Sequence, residues 1–393
     1  MRVLAISDVY LPQICAASLS LNTLIHEMQA KGHAVTLIAP DYPGARDQPG
    51  DDVIRVSSHA IGTATVPRLM KISRVLEISD QLRSWNYGIV HIHTPYIAHI
   101  AGLVLAHRLG VPAVELWNVR HEEMLRRRVP RLRASWVRTV ARWLTRLQCY
   151  GVDGFIVRSP EVRDRLKEYG VLKPTTVVPM GIEGHRFQPA DGARFRAAHG
   201  LAPERPILLC TGAMKERRSV DFLLASLMEI RREIPNVALV VADSAAVLNT
   251  LREDVQNLGL RDNVAYAPDP NGSSSLDMYH AARCFVVPAG GDMESAPLLD
   301  AMAAGLPTVI AASGNVQEIL GEDSPATTTE ERVADFAAAV IALLRDTDRC
   351  AQLASAGRQY AQRWSASVTV EQVLDGYREA LAPAQSSTRA LAR

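Results

Sequence analysis

Short apolar runs rich in Val, Ile and Leu alternate along the chain with longer stretches whose apolar residues recur at helical spacing. In the first half the runs are RVLAIS, AVTLIAP, VIRVS, IVHIHT, VPAVELW, GFIVRS and TTVVPMG; in the second they are PILLCTG, NVALVVA, NVAYAP, CFVVPAG and PTVIAAS. A strand with one wet face alternates apolar and polar residues. These near-continuous runs instead predict strands buried on both faces, as in parallel sheets flanked by helices. The fold class is therefore α/β.

One sheet holding all these strands would be unusually wide, and 393 residues exceed what one hydrophobic core usually supports, so two sheets of six or so strands are expected. The Gly/Pro-containing stretch VVPMGIEGHRFQP, residues 177–189, is the natural break. The expectation is two doubly wound, Rossmann-like domains over residues 1–183 and 184–362, facing across a cleft with ligand at the carboxyl ends of the strands. A helix over 363–382 is expected to return to the first domain, and 383–393, PAQSSTRALAR, lacks an apolar period and reads as a disordered tail.

Composition narrows the class. With 48% hydrophobic residues, 22% charged residues and a net charge of +1, the chain lacks the basic excess of a nucleic-acid binder. Cys15, Cys149, Cys210, Cys284 and Cys350 are odd in number, scattered and free of CxxC spacing. That argues against a disulfide framework or a zinc site and for a reducing cytoplasm. The opening MRVLAISDVYLP is broken by Asp8 and Pro12, so it reads as neither signal peptide nor membrane span.

Several chemistries are excluded by missing motifs. DVYLPQICAAS, after the first strand, has no glycine, which removes the dinucleotide fingerprint; there is also no G-x-x-x-x-G-K-[ST] loop and no G-x-S-x-G elbow. His91 and His93 alternate along a strand and share a face, but no third metal ligand accompanies them. They read as a hydrogen-bonded pair in the cleft wall.

The informative segment is GGDMESAPLLDAMAAGLPTVIAA, residues 290–312, which contains a helix start, a helix rich in small residues and the next strand. Its run LLDAMAAGLPTV resembles the signature of the retaining glycosyltransferases of family 4, which have the GT-B fold. The resemblance extends in order through SDVYLPQ, HTPYIAHIAGLVLAHRLGVP, IVRSPEVRDRLKEYGV, VVPMGIE, VDFLLASL, NVALVVA, LGLRDNVAYAP and the closing pattern at Trp364 and Tyr377. It implies a nucleotide-diphospho-sugar donor held mainly by the C-terminal domain: ribose on a carboxylate, diphosphate on an Arg/Lys loop and on amides at a helix N-terminus. It implies no metal and no other cofactor, and a product that keeps its anomeric configuration.

Carried over residue by residue, the scaffold matches while the site departs from the family pattern. Cys15 and Ala16 stand where similar enzymes have Asn-Gly near the donor, and Asn118 stands at a histidine position beside the reacting sugar. The phosphate loop TGAMKERRS has Gly212, then Ala213 for the arginine and Arg218 for the lysine, with Lys215 and Arg217 as neighbouring cations. Asp243, Ser244 and Ala245 replace a Gly-Asp-Gly turn. Asp292 and Asp300 replace paired glutamates, Ser295 and Ala296 open the helix where a glycine is usual, and Pro297 offers no N–H. Each lost charge-assisted contact costs about 1.5–3 kcal/mol of binding.

Two readings follow. In one, Lys215, Arg217, Arg218, Glu294 and His121 rebuild the donor site, with Asn118 and His121 at the reacting centre. In the other, the chain is a pseudoenzyme, a partner-binding or regulatory subunit, and His121 is an ordinary surface histidine. Between Met124 and Cys149 there is no acidic residue, while Arg126, Arg127, Arg128, Arg131 and further arginines interleave with Trp136 and Trp143. That pattern suits an anionic membrane surface on the acceptor side, or a core-packing helix whose outer face arginine solvates. The expected protein is cytoplasmic, peripheral on the inner face of the plasma membrane, and transfers sugar to a saccharide or lipid-linked acceptor.

Overall fold

The predicted strands form two all-parallel sheets. The computed structural model describes residues 1–13, 15–43, 52–60, 68–117, 119, 121–129, 133–178, 181–182, 188–214, 216–267, 275–290, 295–311, 320–321 and 323–382. The tail expected over 383–393 lies outside them. Contacts divide the chain into two units, one of residues 1–181 together with the segment from Ala366 onward, the other Ile182–Ser365.

The first unit runs β1 (Arg2–Ile6), α1 (Ala16–Ala30), β2 (Ala34–Pro40), β3 (Asp52–Val56), β4 (Ser58–Ala60), β5 (Arg68–Met70), α2 (Ile72–Glu77), α3 (Ser79–Arg83), β6 (Ile89–Ile92), α4 (Ile97–Leu109) and β7 (Ala113–Trp117). It continues with α5 (His121–Arg128), α6 (Ala134–Gln148), β8 (Gly154–Val157), α7 (Pro160–Glu168) and β9 (Thr175–Val177). Its sheet has the order β3-β2-β1-β6-β7-β8-β9, with β4 and β5 forming a small antiparallel ribbon beside it. Neighbouring residues of β1 serve opposite faces: Val3 and Ala5 join a core with Leu21 and Ile25 of α1, whereas Leu4 and Ile6 join another with Ala98 and Leu105 of α4. This two-sided burial is what the unbroken apolar runs demanded.

The second unit holds α8 (Gly192–Ala198), β10 (Ile207–Thr211), α9 (Arg217–Glu233), β11 (Ala238–Ala242), α10 (Ala245–Asn257), β12 (Val264–Ala267), α11 (Ser275–Ala281), β13 (Cys284–Val287), α12 (Ser295–Ala303), β14 (Thr308–Ala311), β15 (Thr327–Thr329), α13 (Val333–Arg345) and α14 (Thr347–Gln362). Its sheet order is β12-β11-β10-β13-β14-β15. Again alternate residues divide between faces, with Ile207 and Leu209 on one side and Leu208 and Cys210 on the other.

The last helix, α15 (Ala366–Leu381), places Val370, Val373, Leu374 and Tyr377 in the core of the first unit. The chain changes units at Gly181 and at Ser365, where breaks after 183 and 362 were expected. The reason is a pairing the sequence does not advertise: the Ile182 amide donates to the Trp364 carbonyl at 2.6 Å, and Ile182 pairs with Ser365 in a parallel bridge. These residues therefore belong to the same unit.

Helix α4 lies close against its sheet because Gly102 has no side chain; a Cβ there would stand 2.6 Å from Cγ1 of the fully buried Ile92. Replacing Gly102 with Ala gains up to about 1 kcal/mol of helix propensity but costs about 1–3 kcal/mol in overpacking. The variant should therefore unfold at a lower urea concentration, and an unchanged or higher midpoint would mean that α4 can lift without loss.

Candidate functional site

In a doubly wound sheet the order reverses between two neighbouring strands, and ligands bind beyond their carboxyl ends at that point. The reversal falls between β1 and β6 in the first unit and between β10 and β13 in the second.

At the second reversal, β10 runs into Gly212, whose φ of +74° suits glycine, then Ala213, which packs against both cores of its unit. Arg217 and Arg218 open α9. Arg217 is exposed and bonded to Asp221 and Asp254, each at 2.8 Å, so its charge is directed to carboxylates of α9 and α10. Arg218 pairs with Glu331, and its stem lies over Gly290: a Cβ on Gly290 would meet Arg218 Cγ at 2.6 Å. Gly290 has a φ of +104°, a conformation L side chains rarely adopt. The loop after β10 and the loop after β13 thus meet through Arg218 and Gly290. Beyond them α12 begins at Ser295, with Ala296 and Asp300 half-buried along it. Lys215, Asp292 and Glu294 lie outside the described residues.

At the first reversal, the buried Asp8 joins both strand ends. Its carboxylate accepts from the Thr94 hydroxyl at 2.8 Å and from the amides of Tyr96 at 3.2 Å and Ala98 at 3.0 Å, which cap α4. Burial pushes the Asp8 carboxyl up, against the hydrogen bonds from Thr94 and these amides. Cys15 is the N-cap of α1, its amide donating to the Ser18 hydroxyl at 2.9 Å, and Ala16 is the first helical residue.

His91 and His93 share a face, but they are only 1% exposed and lie beneath α15 rather than in an open wall, because Tyr377 covers them. His93 Nε2 is 3.1 Å from the Ala17 carbonyl, which only accepts, so that nitrogen carries the hydrogen. His93 Nδ1 must then accept from His91 Nε2 at 3.2 Å, and His91 Nδ1 from the Tyr377 hydroxyl at 2.9 Å. Every ring nitrogen is used by the neutral tautomers, which leaves none for a metal. Burial, then the Arg158 charge, drives His91 down to about 3; burial first, then His91 and Arg158, holds His93 well below the usual range. Arg158 donates to Ser20 at 2.7 Å, and burial brings its guanidinium down to about 10. These groups line a cavity of about 40 Å³, the space of a water or two.

His121 is not a surface histidine. It is 9% exposed, its Nδ1 is 2.9 Å from the Thr145 hydroxyl of α6, and its ring stands edge-on to Trp117 at 5.8 Å. Burial lowers its pKa, so at neutral pH it is an uncharged imidazole that can accept or donate one proton. Behind it, Glu115 is fully buried in β7, accepting from His99 at 3.1 Å and from Gln148 at 3.4 Å, and burial raises its carboxyl. Asn118 lies outside the described residues, between Trp117 and Val119.

Of the basic segment, Arg126 pairs with Glu122 at 2.8 Å, Arg127 and Arg128 end α5, and Arg131 lies outside the described residues. Helix α6 packs inward through Val137, Ala141 and Thr145 and leaves Trp136 and Trp143 exposed. Sequence reasoning missed Asp8, Arg158 and Glu115, although a charged residue in or just after an apolar strand was a readable signal.

Two units, each built on a doubly wound parallel sheet, are the elements of a GT-B architecture. The family models agree: "Glycosyltransferase Family 4" matches residues 17–186 and "Glycosyl transferases group 1" matches 191–360, and the chain belongs to this glycosyltransferase family. Among relatives, the alpha-monoglucosyldiacylglycerol synthase of Streptococcus pneumoniae is 26% identical over 80% of this chain and 71% of its own length. The GDP-mannose-dependent alpha-(1-6)-phosphatidylinositol monomannoside mannosyltransferase of Mycobacterium tuberculosis is 27% identical over 92% and 95%. Among solved structures, the sucrose-phosphate synthase of Thermosynechococcus elongatus superposes with a TM-score of 0.69 at 19% identity, covering 97% of this chain and 99% of that one. Anabaena HepE in complex with UDP-glucose gives 0.67 at 16% identity, covering 95% and 98%.

The buried histidines make stability depend on acid. Unfolded histidine binds a proton below pH 6.5, whereas folded His91 refuses it until about 3, so the unfolded state gains protons in that window and stability falls as the pH drops. Each such histidine contributes up to about 1.4 kcal/mol per pH unit. Tyr377→Phe should cost about 1–3 kcal/mol at pH 7, because His91 Nδ1 loses its donor. Urea midpoints for both proteins between pH 7 and pH 4 test this; a wild-type midpoint independent of pH would refute the neutral pair.

Proposed function

We propose that the chain transfers a sugar, with retention of configuration, from a nucleotide-diphospho-sugar to a lipid-linked or saccharide acceptor, working at the inner face of the plasma membrane. The observation that carries this reading is the meeting of Arg218 with Gly290, which precedes α12 in the chain. A diphosphate there faces a guanidinium and the positive end of a helix, which stabilise the departing anion as the glycosidic bond forms.

Arg218 would exchange Glu331 for the diphosphate, with Lys215 and Arg217 adding positive charge and no metal needed. Asp292, Glu294 and Asp300 would hold the ribose and sugar hydroxyls, and Asn118 with the neutral His121 would line the reacting centre. The lipid-linked acceptor is favoured by relatives whose names specify diacylglycerol and phosphatidylinositol glycolipids. The competing reading, a pseudoenzyme that binds a protein partner, is favoured by Asn118 and Ala213, which stand where the family pattern has histidine and arginine.

Thermal shifts against UDP, GDP, CDP and ADP and their sugars, with chelator present, separate the two. At a ligand concentration of 100 Kd the folded state gains about 2.7 kcal/mol, a shift of a few degrees. One base should produce it, and Arg218→Ala should abolish it. No shift with any nucleotide would overturn the transferase reading in favour of the partner-binding one.

A further inference from the structure

Helix α6 has two apolar stripes where a surface helix needs one. Val137, Ala141 and Thr145 face the core. On the other side Trp136 is 64% exposed, Val140 38%, Trp143 61% and Leu147 59%. These four follow the spacing of a single helical face and extend about 16 Å at 1.5 Å per residue. Tyr150 and Leu172 add 82% and 86% exposure nearby.

Leu172 is brought there by two arginines of α6. Arg146 donates to the Tyr169 carbonyl at 2.6 Å and Arg142 to the Glu168 carbonyl, fastening the turn after α7 to the helix. Gly170 permits this in two ways: its φ is +84°, and any Cβ would strike the Arg146 guanidinium at 2.5 Å. Carbonyls are neutral acceptors, so both arginines hold the turn in place and keep their full charge.

We propose that this face of α6, with Tyr150 and Leu172, inserts into an anionic lipid bilayer. Charge and side-chain type favour lipid as the occupant of this face. Residues 124–149 contain no Asp or Glu; the exposed Arg138, Arg142 and Arg146 belong to the same helix as the stripe, and the exposed Arg133 is its N-cap. Indole rings flanked by cations suit the headgroup boundary, where their apolar body is buried and the N–H stays wet. No helix among the described residues is long and apolar enough to cross a membrane, so α6 would lie in the interface plane. The inference deepens the membrane part of the reading above and is independent of whether sugar is transferred.

The full chain is sedimented with vesicles of phosphatidylcholine alone or with a third of phosphatidylglycerol. Wild type should partition onto the anionic vesicles, and Trp136→Ser/Trp143→Ser should bind roughly tenfold more weakly, as expected from loss of the inserted aromatic area. Brominated lipid should quench wild-type tryptophan fluorescence more than that of the double variant. Since both side chains are exposed, the melting temperature should not change. Should it drop, Leu147→Gln/Leu172→Gln replaces the pair under the same criteria. Wild type remaining in the supernatant, a variant that binds equally, or a wild-type dimer that the variant dissociates would each overturn the proposal, the last by making a second copy the occupant. Nucleotide thermal shifts that survive in the variant keep this test separate from that of the donor site.

Discussion

The first unit is closed by a helix that arrives only after the whole of the second has been traversed. Tyr377 carries the constraint: its hydroxyl starts a directed chain through His91 and His93 to the Ala17 carbonyl, linking α15, the sheet and α1. Each member has one partner geometry and one protonation state, so the chain also specifies the register in which α15 lies on the sheet. The apolar neighbours Val370, Val373 and Leu374 supply the burial, but they would tolerate small slips that the hydrogen bonds do not. The pairing of Ile182 with Ser365 holds the two crossings side by side, so the inserted unit begins and ends at one place.

The two sheets reverse in the same manner but use their reversal points differently. In the first unit, the amides at the start of α4 already have an anion, the Asp8 carboxylate, and the position is filled by the fold itself. In the second, the loop after β10 brings Arg218 onto Gly290 ahead of α12, a cation where the first unit has an anion. The cation of the second unit is paired with Glu331, and the carboxylate of the first is held by the Thr94 hydroxyl and the amides of α4. Ala213, between these elements, packs its small side chain against both cores of the unit.

The twelve apolar runs were legible as strands because burial on both faces leaves a continuous Val/Ile/Leu signature. The strand that escaped, β15, reads Thr-Thr-Thr at the sheet edge, where one side has no neighbour and polar residues suffice. The ribbon of β4 and β5 escaped because strands of three residues carry no period. The site was less legible. Spacing indicated that His91 and His93 share a face but not that Tyr377, far along the chain, would seal them. It marked His121 as a candidate, whereas its burial depends on Thr145 and Trp117, which only packing brings together. Arg217 and Arg218 are adjacent in sequence and equally basic, yet one serves Asp221 and Asp254 while the other crosses to Gly290. That difference is set by helix phase at the first turn of α9, which composition does not contain.

Helix α6 links the two proposals made for the first unit. Its inward stripe includes Thr145, whose hydroxyl holds His121, and its outward stripe includes Trp143 and Leu147, within one turn of the same helix. A rigid helix transmits position along its length, so fixing the outer face at a lipid boundary fixes the imidazole relative to that boundary as well. An acceptor that remains anchored in the bilayer must present its hydroxyl at a set height. A protein that reads this height through the helix supporting its own candidate reacting residue needs no separate device to align the two. The exposed tryptophans, costly on a freely soluble surface, then have a reason to sit opposite Thr145.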